Sequence, residues 1–189
     1  MKMKTFKSAL FMLLLMTVAV GCKNDDDLPE VPQAVENEPE VITTLTITFT
    51  DADGIQPEVT ATFRDPDGDG GAGPDIFDNI DLVANTTYNA AITILNETES
   101  PAGDLTTEIS EEAAEHLFCF TPADGADVTI TRTDSDGTFE VGLASQWVTG
   151  SASTGTVNVV LKHQPDGLKD GSCTPGETDV EVLFVTNIN

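Results

Sequence analysis

Residues 41–63 read VITTLTITFTDADGIQPEVTATF. From Thr44 to Phe49 every second residue is apolar, and the residues between them are threonines. A period of two puts Leu45, Ile47 and Phe49 on one face of an extended chain and the threonines on the other. Threonine suits the solvent side of a pleated strand, because its branched side chain packs well there. DADG at 51–54 supplies turn residues, and the alternation resumes over Glu58 to Phe63. The stretch therefore predicts two antiparallel strands paired as a hairpin.

The same alternation recurs along the chain. Further strands are expected at Leu82-Val83, Thr87 to Leu95, Leu117 to Phe120, Asp127 to Thr133, Phe139 to Leu143, Thr156 to His163 and Asp179 to Val185. The turn clusters ADGAD, DSDG, TGSASTG, PDGLKDG and PGE separate them. Strands do not alternate with helices, which argues against a parallel α/β sheet. The predicted fold is all-β: an antiparallel β-sandwich of about seven to nine strands, Ig-like or transthyretin-like. The one helical candidate is Glu108 to Glu115, a turn or two at most. Ser110 stands there as N-cap, with Glu111 and Glu112 in the first turn.

Upstream of this domain the composition changes twice. Residues 1–21 carry Lys2, Lys4 and Lys7, then an apolar run from Ala9 to Val20. That run falls short of the roughly 20 residues a membrane-spanning helix needs, and its layout is that of a secretory signal. Ala19-Val20-Gly21-Cys22 resembles a bacterial lipobox, so Cys22 is the expected lipidation site. The alternative is an ordinary signal with a cysteine nearby. Lipid chains anchor by about 0.8 kcal/mol per buried CH₂. The Lys-plus-acid run KNDDD after Cys22 looks like a signal for export to the outer leaflet of the outer membrane. The expected location is thus the outer membrane, facing the periplasm or the cell surface. Residues 22–40 combine three prolines with many acids and read as a disordered tether. Residues 41–189 are expected to form a single domain, long enough to bury a core.

Removing residues 1–21 takes the formal charge from -25 to -28. Such a charge repels nucleic acid and favours cations, although a solvated acidic surface is the plainer reading. No nucleophile, P-loop or dinucleotide signature is present, and no enzyme activity is expected.

Two stretches bear on ligand chemistry. DPDGDG at 65–70 sets Asp65, Asp67 and Asp69 at alternate positions, as in a calcium loop, with Asp75 as a further carboxylate. The twelfth position is Ile76 rather than the bidentate glutamate, and the flanks are strands, so an EF-hand is excluded. What remains is a looser calcium site or a plain loop rich in turn residues. EEAAEHLFCF at 111–120 places Glu112 and Glu115 ahead of His116. The other histidine is His163. The two histidines with Glu112 or Glu115 make a three-ligand zinc site if their strands are neighbours. The alternative is a histidine at a strand end, solvated or bonded to backbone.

In the same stretch, alternation sends His116, Phe118 and Phe120 to the core and Cys119 to the outer face. Beyond Cys22, only Cys119 and Cys173 remain. In an oxidising compartment they form a disulfide that clips the 165–177 loop over Cys119, or they stay as two buried thiols. Trp147, the one tryptophan, is either a core or loop aromatic or a surface on which a carbohydrate stacks.

Several blocks together carry a resemblance: the lipobox with KNDDD, ITTLTITF, DPDGDG, LNETESPAGDLTTEISEEAAEH, LKHQPDG and GETDVEVLF. They are similar to a group of small Gram-negative lipoproteins labelled type 1 periplasmic binding fold superfamily proteins. The label implies two α/β lobes of repeated strand–helix units, whereas the alternation here implies the sandwich. The resemblance implies no catalytic residue. Together these readings predict a non-enzymatic cell-envelope module that binds a solute, a cation or a partner protein such as an outer-membrane transporter. The alternative is a structural or adhesion module with no small ligand.

Overall fold

The computed structural model describes residues 40–68 and 71–189. The expected signal segment 1–21, the lipidation site Cys22, the tether as far as residue 39, and Asp69 lie outside the described residues.

The opening hairpin forms as its alternation dictates. Strand β1 (Thr44–Asp51) pairs antiparallel with β2 (Val59–Arg64), with Thr46 opposite Thr62. Their hydroxyls meet at 3.1 Å on the outer face. Leu45, Ile47 and Phe49 are fully buried on the inner face. Asp51 closes the turn by accepting backbone N–H groups from Asp53, Ile55 and Gln56.

β1 sits inside a sheet completed by β3 (Ile76–Phe77), β5 (Thr87–Asn96), β8 (Val128–Arg132) and β9 (Ala144–Thr149). Its order is β3-β2-β1-β5-β9-β8, with β6 (Gly103–Asp104) beside β5. The second sheet comprises β4 (Ile80–Leu82), β7 (His116–Ala123), β10 (Ser153–His163) and β11 (Glu177–Ile188), in the order β4-β11-β10-β7. One core joins the two sheets: Phe49, Tyr88, Ile94 and Trp147 from the first meet Phe118, Val159, Leu161 and Phe184 from the second. The fold is thus all-β and sandwich-like. Among the described residues no helix is long and apolar enough to cross a membrane.

The structure departs from the sequence expectations in four places. First, there are eleven strands rather than seven to nine, because β3 and β6 are two-residue pieces too short to show a period. Second, pairing is not antiparallel throughout: β4 runs parallel to β11, with Ile80 opposite Thr186. Third, Phe139 to Leu143 is not a strand. Asp136 accepts the N–H groups of Thr138 and Phe139, Asp134 accepts that of Gly142, and Gly142 adopts φ +94. These local bonds hold a turn-rich crossing instead. The strand is the next segment, β9, where Trp147 is a fully buried core residue in edge contact with Phe49 and Phe120, so it offers no stacking surface for carbohydrate.

Fourth, helix α1 spans Leu105–Glu111, not Glu108 to Glu115. Its N-cap is Asp104, whose carboxylate accepts the Thr106 N–H at 3.0 Å, and Ser110 lies within the helix. The earlier start buries Leu105 and Ile109, four apart on one face, against the core.

Candidate functional site

The two histidines face each other at one end of the second sheet. β7 and β10 pair antiparallel in a register that sets His116 opposite His163. Both side chains point inward, on the faces that bury Phe118 and Leu161, and their rings stack with centroids 4.9 Å apart and planes 10° from parallel. His116 is fully buried and His163 nearly so.

A third strand brings in a group absent from the expected set. Along β11, Val180, Val182 and Phe184 face the core while Glu181, Leu183 and Val185 face solvent. Strict alternation would send Asp179 outward with the second set. The β10–β11 ladder breaks here: Leu161 lies opposite Val180, but Lys162 lies opposite Thr178. Asp179 is the extra residue of a bulge, and bulges re-aim side chains in this way. Its side chain is only 1% exposed, with Oδ2 3.9 Å from His116 Nε2. Gly176, at φ +82, lets the chain turn into β11 against His163; a Cβ there would stand 2.0 Å from the His163 carbonyl oxygen.

Two further carboxylates complete the cluster. Glu112 follows α1, and Glu40 precedes β1. The potential ligand atoms of Glu40, Glu112 and His116 all lie within 4.8 Å of one another. His116 Nδ1 is 3.3 Å from the Glu112 carbonyl oxygen. That oxygen can only accept, so Nδ1 carries the proton and Nε2 presents a lone pair. Four buried acceptor atoms here have no hydrogen-bond partner: His116 Nε2, both carboxylate oxygens of Asp179, and Glu112 Oε2. The Glu40 backbone lies near enough to Asp179 to favour its charge slightly, without forming a bond of good geometry.

Burial controls the protonation of this cluster. It pushes the His116 imidazole down to about 4; the charges of His163 and Lys169 act in the same direction, and the Glu112 carbonyl opposes them. It pushes the Asp179 carboxyl up to about 6, with Glu177 adding and His163 and Lys162 opposing. Glu40 is also raised, first by burial and then by Glu108, Asp179 and Glu112. At neutral pH His116 is therefore uncharged, and its 3.9 Å approach to Asp179 is not an ion pair.

Asp179 also borders a cleft of about 630 Å³ between the sheets. Glu40, Asp65 and Glu181 line it with Ile42, Phe63 and Val180, and none of its described lining residues is basic.

The remaining sequence candidates sort differently. His163 does not join the Glu40–Glu112–His116 set; its Nε2 lies 3.8 Å from Glu115 Oε2 at the more exposed rim. In the 65–75 loop, Asp67 Oδ2 accepts the Ala72 N–H, and this bond holds its carboxyl below the usual range. Asp75 pairs with Arg64 at 2.6 Å. Asp65 faces the cleft. Among the described residues these three do not gather into a ligand cluster. Cys119 and Cys173 are joined, with sulfurs 1.99 Å apart. The bond holds the 165–177 loop over the outer face of β7. The same loop carries Lys169, whose buried Nζ donates to the Ala113 carbonyl at 2.6 Å and to Asp136 at 2.8 Å.

Sequence reasoning missed Glu40 and Asp179. Glu40 was assigned to the tether. Asp179 was placed on a strand, where only the bulge decides which way it points. Comparison with protein-family models, with curated proteins and with solved structures finds no match to this chain.

Proposed function

We propose that this chain is a non-enzymatic binding module of the bacterial cell envelope, anchored through lipid at Cys22, that takes a cationic ligand at the end of its sandwich. One observation carries the reading: Asp179 is turned inward by a bulge, buried, and left without a hydrogen bond of good geometry at the wall of an acidic cleft. A buried carboxylate without a donor destabilises a fold by the cost of its desolvation. A cation removes that cost. The formal charge of -28 left once residues 1–21 are removed acts in the same direction, raising the local cation concentration. The lipobox and the resemblance to envelope lipoproteins support the location.

The test is a thermal-shift and calorimetric titration of the full chain after chelation, using Zn²⁺, Ca²⁺, Mg²⁺ and the diamine putrescine at matched ionic strength. At least one should raise the melting temperature and saturate; a ligand at a hundred times its Kd adds about 2.7 kcal/mol. Shifts no larger than those from NaCl would refute the reading and favour a structural or adhesion role.

A further inference from the structure

We infer that Glu40, Glu112, His116 and Asp179 form the binding site for a single transition-metal dication, with Zn²⁺ as the best fit. The inference rests on the cation-binding reading above and names the ion and its ligands.

The argument begins with the hydrogen-bonding inventory. His116 Nε2, Asp179 Oδ1, Asp179 Oδ2 and Glu112 Oε2 are all acceptors, all buried, and none has a partner. Buried polar atoms in folded proteins are nearly always satisfied. A proton shared between Asp179 and His116 would satisfy the imidazole and one oxygen, and would leave the other two acceptors as they are. A water has two protons to give and the same shortfall. A dication accepts lone pairs from all of them at once.

The donor set then selects the ion. Ca²⁺ and Mg²⁺ are hard cations that take oxygen ligands. An imidazole nitrogen with carboxylates suits Zn²⁺ and its first-row neighbours. His116 is already in the required tautomer, because the Glu112 carbonyl holds the proton on Nδ1 and aims Nε2 inward. The stacked ring of His163 fixes the plane of the imidazole from behind. Tetrahedral zinc with ligand bonds of about 2.0–2.1 Å sets neighbouring ligand atoms ~3.3 Å apart. His116 Nε2 and Asp179 Oδ2 stand at 3.9 Å, and Glu40, Glu112 and His116 converge within 4.8 Å. Binding one ion requires these separations to close by up to ~1.5 Å within the Glu40–Glu112–His116 set and by ~0.6 Å between His116 and Asp179.

The placement of these ligands is also informative. Glu40 precedes the first strand, Glu112 ends the helix, His116 begins β7, and Asp179 lies in the β11 bulge. An ion here would tie four separate segments together where the expected tether meets the domain.

The experiment uses the full chain, freed of metal, at pH 7.5. Native mass spectrometry should show one Zn²⁺ per chain, and titration should show saturation at that ratio. H116Q and D179N should each weaken zinc at least tenfold, while E58Q, at an exposed carboxylate that does not line the cleft, should leave it unchanged. ¹⁵N-histidine spectra of the unaltered protein give a readout that needs no variant: zinc should move His116 Nε2 and leave Nδ1 protonated. Zinc that fails to move that resonance, or binds H116Q and D179N as before, overturns the site. If Ca²⁺, Mg²⁺ or putrescine still binds in that case, the broader cation reading stands. If no cation binds, both fail together.

Discussion

Asp179→Asn should convert a site that is nearly indifferent to acid into one that loses stability as the pH falls. In the unfolded chain a histidine titrates near 6.5, whereas buried His116 titrates at about 4. Between these values the unfolded state binds one more proton, so stability falls as the pH is lowered, by up to about 1.4 kcal/mol per unit. Over the whole window the loss reaches an upper limit of about 3 kcal/mol. Asp179 has the opposite sign. Its folded value of about 6 lies above its ordinary 3.8, so the folded state binds the extra proton. Its contribution is greatest in acid and is lost as the pH rises through 6, again by at most about 3 kcal/mol. From pH 6 to 4 the fold thus holds on Asp179 the proton that the unfolded chain holds on His116, and the two slopes nearly cancel. Asparagine removes one of them. Relative to the unaltered chain, D179N should lose up to about 3 kcal/mol between pH 6 and 4, and H116Q should gain stability over the same range. The charged neighbours Glu40, Glu177, Lys162, His163 and Lys169 are common to all three proteins. Urea unfolding of metal-free protein, followed by the fluorescence of Trp147, gives the comparison. Parallel pH profiles for D179N and the unaltered chain would refute the proton balance.

Three further outcomes follow from the packing around the site. Replacing Cys119 and Cys173 with serine opens a loop closed across a sequence separation of 54. Chain entropy puts the loss at roughly 4 kcal/mol, read as a lower urea midpoint in the double variant. Lys169→Met removes the buried donor of Asp136 and of the Ala113 carbonyl. It should cost about 3 kcal/mol, and NMR titration should show the Asp136 carboxyl, now held at about 2 chiefly by its Lys169 bond, climbing toward its ordinary range. Trp147→Ala empties the centre of the core, where the ring meets Phe49 and Phe120. It should destabilise by about 3–5 kcal/mol in thermal melts; a loss under 1 kcal/mol would mean the ring is not packed as described.

The fold was legible wherever one face of a strand is apolar and the other is not. β1, β5 and β10 follow that rule, and their alternation alone gives their place and inward face. β9 breaks it, because its inward residues are Ser145, Trp147 and Thr149. Two of the three are polar, and they are tolerated only because each has a partner: Ser145 Oγ accepts the Trp147 indole N–H, and Thr149 donates to the Val83 carbonyl. A hydrophobic pattern cannot show satisfied polar groups, so the strand was displaced onto the apolar Phe139 to Leu143. The helix start failed for a similar reason. Ser110 and Asp104 are both competent caps, and only the burial of Leu105 and Ile109 decides between them.

The site divides along the same physical line. His116 and His163 were recognisable as chemistry, but their pairing is a matter of strand register between segments more than forty residues apart. Nothing local sets that register; the alternating cores of β7 and β10 do, by placing Phe118 and Leu161 on the same buried face. Once they are in register, the histidines must stack, and the ligand set must be completed from elsewhere, because parallel rings with centroids 4.9 Å apart do not point at one ion. The completing group is Asp179, and its position depends on a single extra residue in β11. Without the bulge, the period of two would expose this carboxylate. With it, the strand gives up one ladder position, and a buried carboxylate faces a buried imidazole. Without a bound ion such an arrangement destabilises the fold, since two buried acceptors face each other 3.9 Å apart. Among the described residues no side chain donates to Asp179, and the Glu40 backbone makes no bond of good geometry with it. A fold that needed Asp179 only for structure would gain by supplying that donor; leaving the position to a cation is the arrangement expected of a binding site.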